Sequence, residues 1–311
     1  MMEKISPRVD IAFKKIFGVE ENTDLLLSLI NSIVGAEDQV TEVTLLNPYN
    51  AKSFKTDRLS ILDIKAKSKD GKRFNIEIQI SDEADYDKRA LYYWAKLYTE
   101  QLKVAEDYGS LSKAIGIHIL NFTSIPNVGR YHNVFHIIEK ETGLLYFKDL
   151  ELHTIELKKF SKDSHAELSD IVAMVKNSLD MWAAFLTRHD LLNKDKLPGK
   201  LNDPALKKAL NVLDVMNFAP EERQAYEEHL KWLRMETSAL KKYGTKWFEE
   251  GKAEGKAEGK AEGEQIGLEK GKAEGKEEKA IEVAKKLLKK GIYLNEVAEL
   301  TGLDAAELAK L

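Results

Sequence analysis

Ile61-Leu62-Asp63-Ile64-Lys65-Ala66 and Asn75-Ile76-Glu77-Ile78-Gln79-Ile80, joined through Ser68-Lys69-Asp70-Gly71-Lys72, form the stretch whose reading decides the fold. Both arms alternate apolar and polar residues, the period of a β-strand. In an antiparallel hairpin, paired residues share a face, so Leu62, Ile64 and Ala66 must sit opposite Phe74, Ile76 and Ile78. A two-residue turn at Asp70-Gly71 would set Ile64 against Glu77, core beside charge. A three-residue loop, Lys69-Asp70-Gly71, sets Ile64 against Ile76 and Asp63 against Glu77. The last position of such a loop takes a left-handed conformation, which glycine adopts without steric cost. The three-residue register is therefore the expected one.

That register gathers Asp63, Lys65, Asn75, Glu77 and Gln79 on the face opposite the apolar one. Two carboxylates at cross-strand distance repel unless a cation lies between them, and hard divalent ions such as Mg²⁺ take oxygen ligands in this way. The same alternation also fits a hairpin with one solvated face. The pattern alone leaves both readings open.

Composition narrows the chemistry. The 311 residues are 43% hydrophobic and 32% charged, enough for one substantial core and a smaller attached unit. With no cysteine, disulfides, thiolate zinc sites and cysteine nucleophiles are excluded, leaving carboxylates, Lys, His, Ser and Tyr. A net charge of −4 argues against a protein that coats nucleic acid over its whole surface. No run approaches the roughly 18 apolar residues of a membrane helix, and Met1-Met2-Glu3-Lys4 does not open a secretory signal, so the expected location is cytoplasmic, with no membrane partner. His118, His132, His136, His153, His165, His189 and His229 show no HExxH or other ligand spacing and read as ordinary surface or core residues. Walker A, Rossmann and nucleophile-elbow motifs are absent from the sequence.

Outward from the hairpin, Ser6 to Gly18 reads as a short helix with Phe13, Ile16 and Phe17 on one side. Asp24 is placed to cap a second helix, Leu25 to Val34, which Gly35 ends. A strand is expected over Val40 to Leu46 and a helix over Ala84 to Glu106. Further strands follow at Lys113 to Leu120, Asn133 to Glu139 and Leu150 to Leu157. The pattern then turns helical over Ser169 to Leu186, Pro204 to Asn217 and Pro220 to Tyr243. Glycines at 251, 255, 259, 263, 267, 271 and 275 mark a period-four Gly-Lys-Ala-Glu repeat. Each helical glycine costs about 1 kcal/mol against alanine, and period four stacks like charges. A flexible linker and an oligomerisation stalk both fit, and the favoured reading is a conditional helix acting as a linker. Ala280 to Leu311 reads as three short helical pieces resembling a small helix-turn-helix unit. Asp304 to Leu308 offers no basic residue for DNA reading, which favours packing or partner binding.

An acid on one strand and Glu-x-Gln on the next, within an αβββαβ order, resembles the PD-(D/E)XK nuclease superfamily. More narrowly, Asp10-x-x-Phe13-Lys14-x-x-Phe17-Gly18, Leu62-Asp63-Ile64-Lys65, Ile76-Glu77-Ile78-Gln79, Lys88-Arg89-x-x-x-Tyr93 and the GKAEG repeats are similar to the Rpn family of recombination-promoting nucleases and transposases. The resemblance implies an α/β fold with a restriction-endonuclease-like αβββαβ core and a helical C-terminal extension. The expected domains are a nuclease core over 1–160, a helical extension over 161–247, a repeat linker or stalk over 248–279 and a C-terminal helical unit over 280–311. It implies a metal-dependent DNA endonuclease associated with recombination or mobile elements. Asp63 and Glu77 are then metal ligands for Mg²⁺ or Mn²⁺, with the Ile78 carbonyl as a third ligand. Asp10 is either an additional acid from the first helix, with Lys14 as a contact to phosphate or to a carboxylate, or half of a surface ion pair with Lys14. Gln79 takes the position where the superfamily motif often carries Lys. Lys65, two residues from Asp63 and on the same face, is the expected replacement. Arg89 is placed to contact phosphate or pin a carboxylate, or serves structure alone. DNA is the implied partner, with pairing of two chains as the arrangement that superfamily enzymes use to cut both strands. The alternative is a catalytically weak nuclease-fold protein that binds DNA or assembles through its repeat and C-terminal helices.

Overall fold

The register read from the sequence is present in a computed structural model, which describes residues 5–49, 63–82, 85–161, 166–218 and 220–308. Strand β2 (Ile64–Ser68) pairs antiparallel with β3 (Arg73–Gln79), setting Ile64 opposite Ile76 and Ala66 opposite Phe74. Gly71 has φ +96°, and the Ser68 N–H donates to the Lys72 carbonyl at 2.9 Å, which leaves 69–71 as a three-residue loop. Ile61 and Leu62 lie outside the described residues.

The chain divides into two compact units, Met1–Met235 and Glu236–Leu311. In the first, helices α1 (Asp10–Phe17) and α2 (Thr23–Ile33) precede β1 (Val43–Leu45), β2 and β3. Helix α3 (Tyr86–Thr99) then crosses to β4 (Ala114–Leu120), followed by β5 (His132–Ile138) and β6 (Leu145–Glu156). The sheet order is β1-β2-β3-β4-β6-β5, with β3, β4 and β6 mutually parallel. This is a mixed α/β fold on an αβββαβ core with helices beyond it.

One sheet face carries Phe74, Ile76, Ile115, Ile117 and Ile155, and the inward residues of α1, α2 and α6 (Ser178–Arg188) complete its core. Leu25, Leu26, Leu29, Ile30 and Ile33 give α2 one apolar side. Phe17 meets Trp182 edge-on at 5.3 Å between centroids. The opposite face is not solvated. Helix α3 covers it, packing Trp94 and Leu97 against Ala114, and the Trp94 indole donates to the Ala114 carbonyl at 3.0 Å. A Cβ on Gly116 would lie 3.4 Å from Trp94 and 3.2 Å from His118, so this glycine permits the close approach. Asn75, Glu77 and Gln79 are consequently 1%, 4% and 6% exposed, which corrects the reading of a wet face.

Local differences have local causes. The helix expected to reach Glu106 ends at Thr99, and Ala105 takes φ +70°, which no continuing helix allows. The expected run Ser169 to Leu186 is two helices, α5 (Leu168–Met174) and α6, because Asn177 caps the second by accepting from the Asp180 N–H at 2.9 Å. Asp24 does not cap α2, which begins at Thr23; its carboxylate pairs instead with Lys208 at 2.6 Å. The strand expected from Leu150 starts at Leu145 and pairs with β5 as a ribbon. Helix α7 (Pro204–Phe218) matches its expected start.

Helix α8 runs from Pro220 to Lys289 and takes in the whole glycine repeat. In the second unit, Ala284, Val297 and Leu308 form a small core between the end of α8, α9 (Leu294–Thr301) and α10 (Ala305–Leu308). Gly291 and Gly302 make its turns at φ +81° and +70°. Among the described residues, no helix is long and apolar enough to cross a membrane.

Candidate active site

Continued one residue past Ile64 and Ile76, the register sets Asp63 opposite Glu77. Ser68 and Lys72 form a hydrogen-bonded pair, so by antiparallel alternation Lys65 and Asn75, and one step further Asp63 and Glu77, are non-hydrogen-bonded pairs, the type with the shorter Cα separation of about 4.5 Å. The backbone of β2 agrees: the Lys65 N–H and the Asp63 carbonyl turn away from β3 and bond the Asn47 side chain at 2.7 and 3.0 Å. Asp63 is 4% exposed, and neither carboxylate oxygen has a hydrogen-bond partner among the described residues. Burial raises its pKa against the opposing pull of Lys65 and Lys14. A buried carboxylate in this condition is the feature a cation would relieve.

Glu77 is held from α3. Arg89 donates from Nη2 to Glu77 Oε1 at 3.2 Å and to Gln79 Oε1 at 2.7 Å. Gln79 Nε2 donates in turn to the Ser81 carbonyl at 3.2 Å. Gln79 is thus the acceptor of a guanidinium that comes from α3. A lysine in place of Gln79 would oppose Arg89. Lys65, expected to supply that charge, gives its Nζ to Glu100 at 3.2 Å while lying near enough to Asp63 to act on its titration.

Helix α1 brings Asp10 and Lys14. Both are sheltered: Asp10 is 4% exposed, and burial lowers the Lys14 pKa against the charges of Asp63 and Asp10. Asp10 Oδ2 lies 3.5 Å from His229 Nε2. Asp10 and Lys14 thus lie away from the surface, and the charges of both Asp63 and Asp10 act on Lys14. The Gln79 carbonyl accepts from the Asn121 N–H on the β4 side, so alternation aims the Ile78 carbonyl toward β2, where its partner position is Leu62, outside the described residues.

Two residues escaped the sequence reading. His118 is opposite Glu77 on parallel β4, with Nδ1 at 3.8 Å from Glu77 Oε2 and at 2.7 Å from the Tyr86 hydroxyl. Burial, reinforced by Arg89, pushes its pKa down to about 4, so it is neutral at pH 7. Tyr86 also places its ring 5.4 Å beneath the Arg89 guanidinium, fixing the first turn of α3 over the site. The one available signal was a lone histidine inside the otherwise apolar run Ala114–Leu120. Other histidines build a separate cluster: His132 meets His153 at 2.9 Å, and Glu151 receives His153, His136 and Lys113 at 2.6, 2.8 and 2.7 Å.

No group of three or more His, Asp or Glu is arranged to hold a metal ion among the described residues. The donor chemistry of Asp63 and Glu77 nevertheless fits a hard divalent cation, since both offer carboxylate oxygens and the Asp63 oxygens are buried without partners among the described residues.

Residues 7–242 match the family model described as PD-(D/E)XK nuclease family transposase, and residues 277–311 match that of the Rpn/YhgA-like nuclease family, C-terminal HTH domain. Searches of the curated proteins and of the solved structures gave no significant match.

Proposed function

We propose, from the premise that this chain belongs to the PD-(D/E)XK nuclease family of transposases, that it is a divalent-metal-dependent endonuclease hydrolysing DNA phosphodiesters in recombination or mobile-element processes. The observation that carries the reading is the Asp63 carboxylate, buried with both oxygens lacking hydrogen-bond partners among the described residues, one residue before β2 on the register that, continued, opposes it to Glu77.

Asp63 and Glu77 would hold Mg²⁺, or Mn²⁺ in its place, with the Ile78 carbonyl and Asp10 as further oxygen donors. The ion, when bound, acidifies a water and neutralises charge that develops on the phosphoryl oxygens. Arg89 orients Glu77 and stands where the motif lysine would, placing a fixed positive charge at the edge of the site. Lys65 and Lys14 add positive charge around Asp63, which reduces the repulsion that a phosphate would meet at the carboxylate pair. His118, neutral and hydrogen-bonded to Tyr86, keeps a second positive charge away from Glu77.

The helix-turn-helix match over 277–311 supports DNA as the partner, and two chains acting together would supply one site per strand. The domain reading that goes with this is a nuclease core over 1–160, a helical extension over 161–247, a repeat linker or stalk over 248–279 and the C-terminal unit over 280–311. The rival reading, a catalytically weak binding protein, draws on the neutral Gln79; the positive charge that Arg89 brings beside Gln79 favours the endonuclease. Nicking of supercoiled plasmid with Mg²⁺ or Mn²⁺ tests the proposal. Wild type should relax the plasmid, EDTA and Glu77→Ala should each abolish cutting, and equal cutting by both proteins, or none by either, would overturn it.

A further inference from the structure

Beyond the carboxyl ends of β4 and β6 lies a cavity of about 770 Å³ whose walls carry Arg8, Lys158, Lys159 and Arg188, with no acidic side chain among the described lining residues. Ligands of parallel α/β sheets collect at this end of the strands, where the chain leaves the sheet. The cavity is built rather than incidental. Glu156, fully buried at the end of β6, accepts the N–H groups of Ser124 and Ile125 at 2.6 and 3.0 Å. Lys159 binds Glu156 and the carbonyls of Ile125 and Val128, so the loop after β4 is pinned as one wall. Arg188 is steadied by the Ala166 carbonyl at 2.7 Å and by Asp190 at 3.3 Å. Lys158 is exposed at the mouth.

Asn121 links this cavity to the candidate active site. Its N–H donates to the Gln79 carbonyl at 2.9 Å, and its Oδ1 accepts from Arg8 Nη1 at 2.8 Å. Arg8 is therefore two hydrogen bonds from the strand that carries Glu77 and Gln79. Arginine presents a planar fork matched to phosphate oxygens, and lysine a mobile point charge, so a concave site that carries both favours phosphate groups, with Asp190 engaged by Arg188 at its edge.

We infer that the cavity seats a backbone phosphate of the DNA strand held at Asp63 and Glu77, with Arg8 and Lys158 as its principal contacts. The inference rests on the endonuclease reading for the identity of the strand, but on the cavity alone for the binding of phosphate.

Fluorescence anisotropy of a labelled duplex with the full chain in EDTA separates binding from cutting. Lys158→Glu and Arg8→Gln should each weaken binding by about tenfold and flatten the slope of log K against log salt by about one. Lys200→Glu, an exposed lysine elsewhere that imposes the same charge change as Lys158→Glu, should alter affinity by less than about twofold. Wild-type affinity and slope in both cavity variants would overturn the inference. Inorganic phosphate that binds in a Lys158- and Arg8-dependent manner, with duplex affinity unchanged, would assign the cavity to a free anion and overturn the strand assignment. The two readings fail differently. If plasmid nicking requires Glu77 yet proceeds at wild-type KM in Lys158→Glu and Arg8→Gln, the cavity inference falls and the endonuclease stands. If no protein nicks but duplex affinity still depends on the cavity, the cavity stands and the endonuclease falls.

Discussion

Replacing Gln79 with lysine restores the residue type often found in the superfamily motif, and the structure says that the change is damaging. Gln79 Oε1 accepts from Arg89 Nη2 at 2.7 Å, and that bond disappears in Gln79→Lys. Losing a hydrogen bond with a charged partner costs roughly 1.5–3 kcal/mol. The new ammonium would also stand about 4 Å from the guanidinium, where like charges repel by about 4 kcal/mol at an effective dielectric constant of about 20. Arg89 keeps 31% of its side chain exposed, so it can withdraw toward water and relieve much of that repulsion. A net destabilisation of about 3 kcal/mol results, equivalent to a urea midpoint lower by about 1 M. Tryptophan fluorescence reports the transition, since Trp94 and Trp182 are buried in the first unit. The double variant Gln79→Lys/Arg89→Met removes the clash and lets the introduced ammonium pair with Glu77, recovering about half of the loss as a coupling energy. If Gln79→Lys is as stable as wild type, or if the double variant is merely additive, the charge exchange between positions 79 and 89 is refuted.

Acid should destabilise the first unit before ordinary carboxylates titrate. His118 and His132 both titrate near 4, below their ordinary value, so the unfolded chain binds more protons between about pH 6.5 and 4, and stability is lost as pH falls through that window. Urea midpoints at about pH 7 and pH 5 read this directly; a smaller loss is expected in His118→Gln, and identical midpoints in wild type would contradict it. Asp63 works in the opposite sense: burial raises its pKa, so its contribution favours the folded state at low pH and is lost as pH rises through the folded value. Metal-free Asp63→Asn should accordingly melt no lower than wild type at neutral pH, and a clear drop in the melting temperature would contradict a carboxylate without partners among the described residues. In the repeat, a Cβ added at Gly255, Gly259 or Gly263 meets nothing within 4 Å, so substituting all three with alanine should strengthen the helix by about 1 kcal/mol each. The far-ultraviolet circular dichroism of the helix should deepen; a loss of helicity or of oligomer would show that the glycine lane packs against a second helix.

The hairpin register was legible because two local signals agree: alternation from Ile64 to Ala66 and from Phe74 to Ile78, and a glycine where the loop turns left-handed. The family followed from Asp63 and Glu77 standing in that register. What the sequence concealed depends on pairings across long separations. His118 meets Glu77 only because β3 and β4 run parallel through an intervening helix. The burial of Asn75 and Glu77 follows from Trp94 and Leu97 of α3, whose aromatic pattern does not reveal which sheet face it will cover. Gln79 read as a missing lysine for the same reason: its partner, Arg89, is on that helix. In the repeat, propensity argued for a weak helix, and the single helix Pro220–Lys289 includes it all the same.

The central claim is that Asp63 and Glu77 together form a cation site, and calorimetric titration of Mn²⁺ into the full chain without DNA tests it most directly. Wild type should bind the ion and release it to excess Mg²⁺, whereas Asp63→Asn, which removes the charge but keeps the side-chain volume, should bind at least about tenfold more weakly. Equal Mn²⁺ binding by wild type and Asp63→Asn would contradict the account.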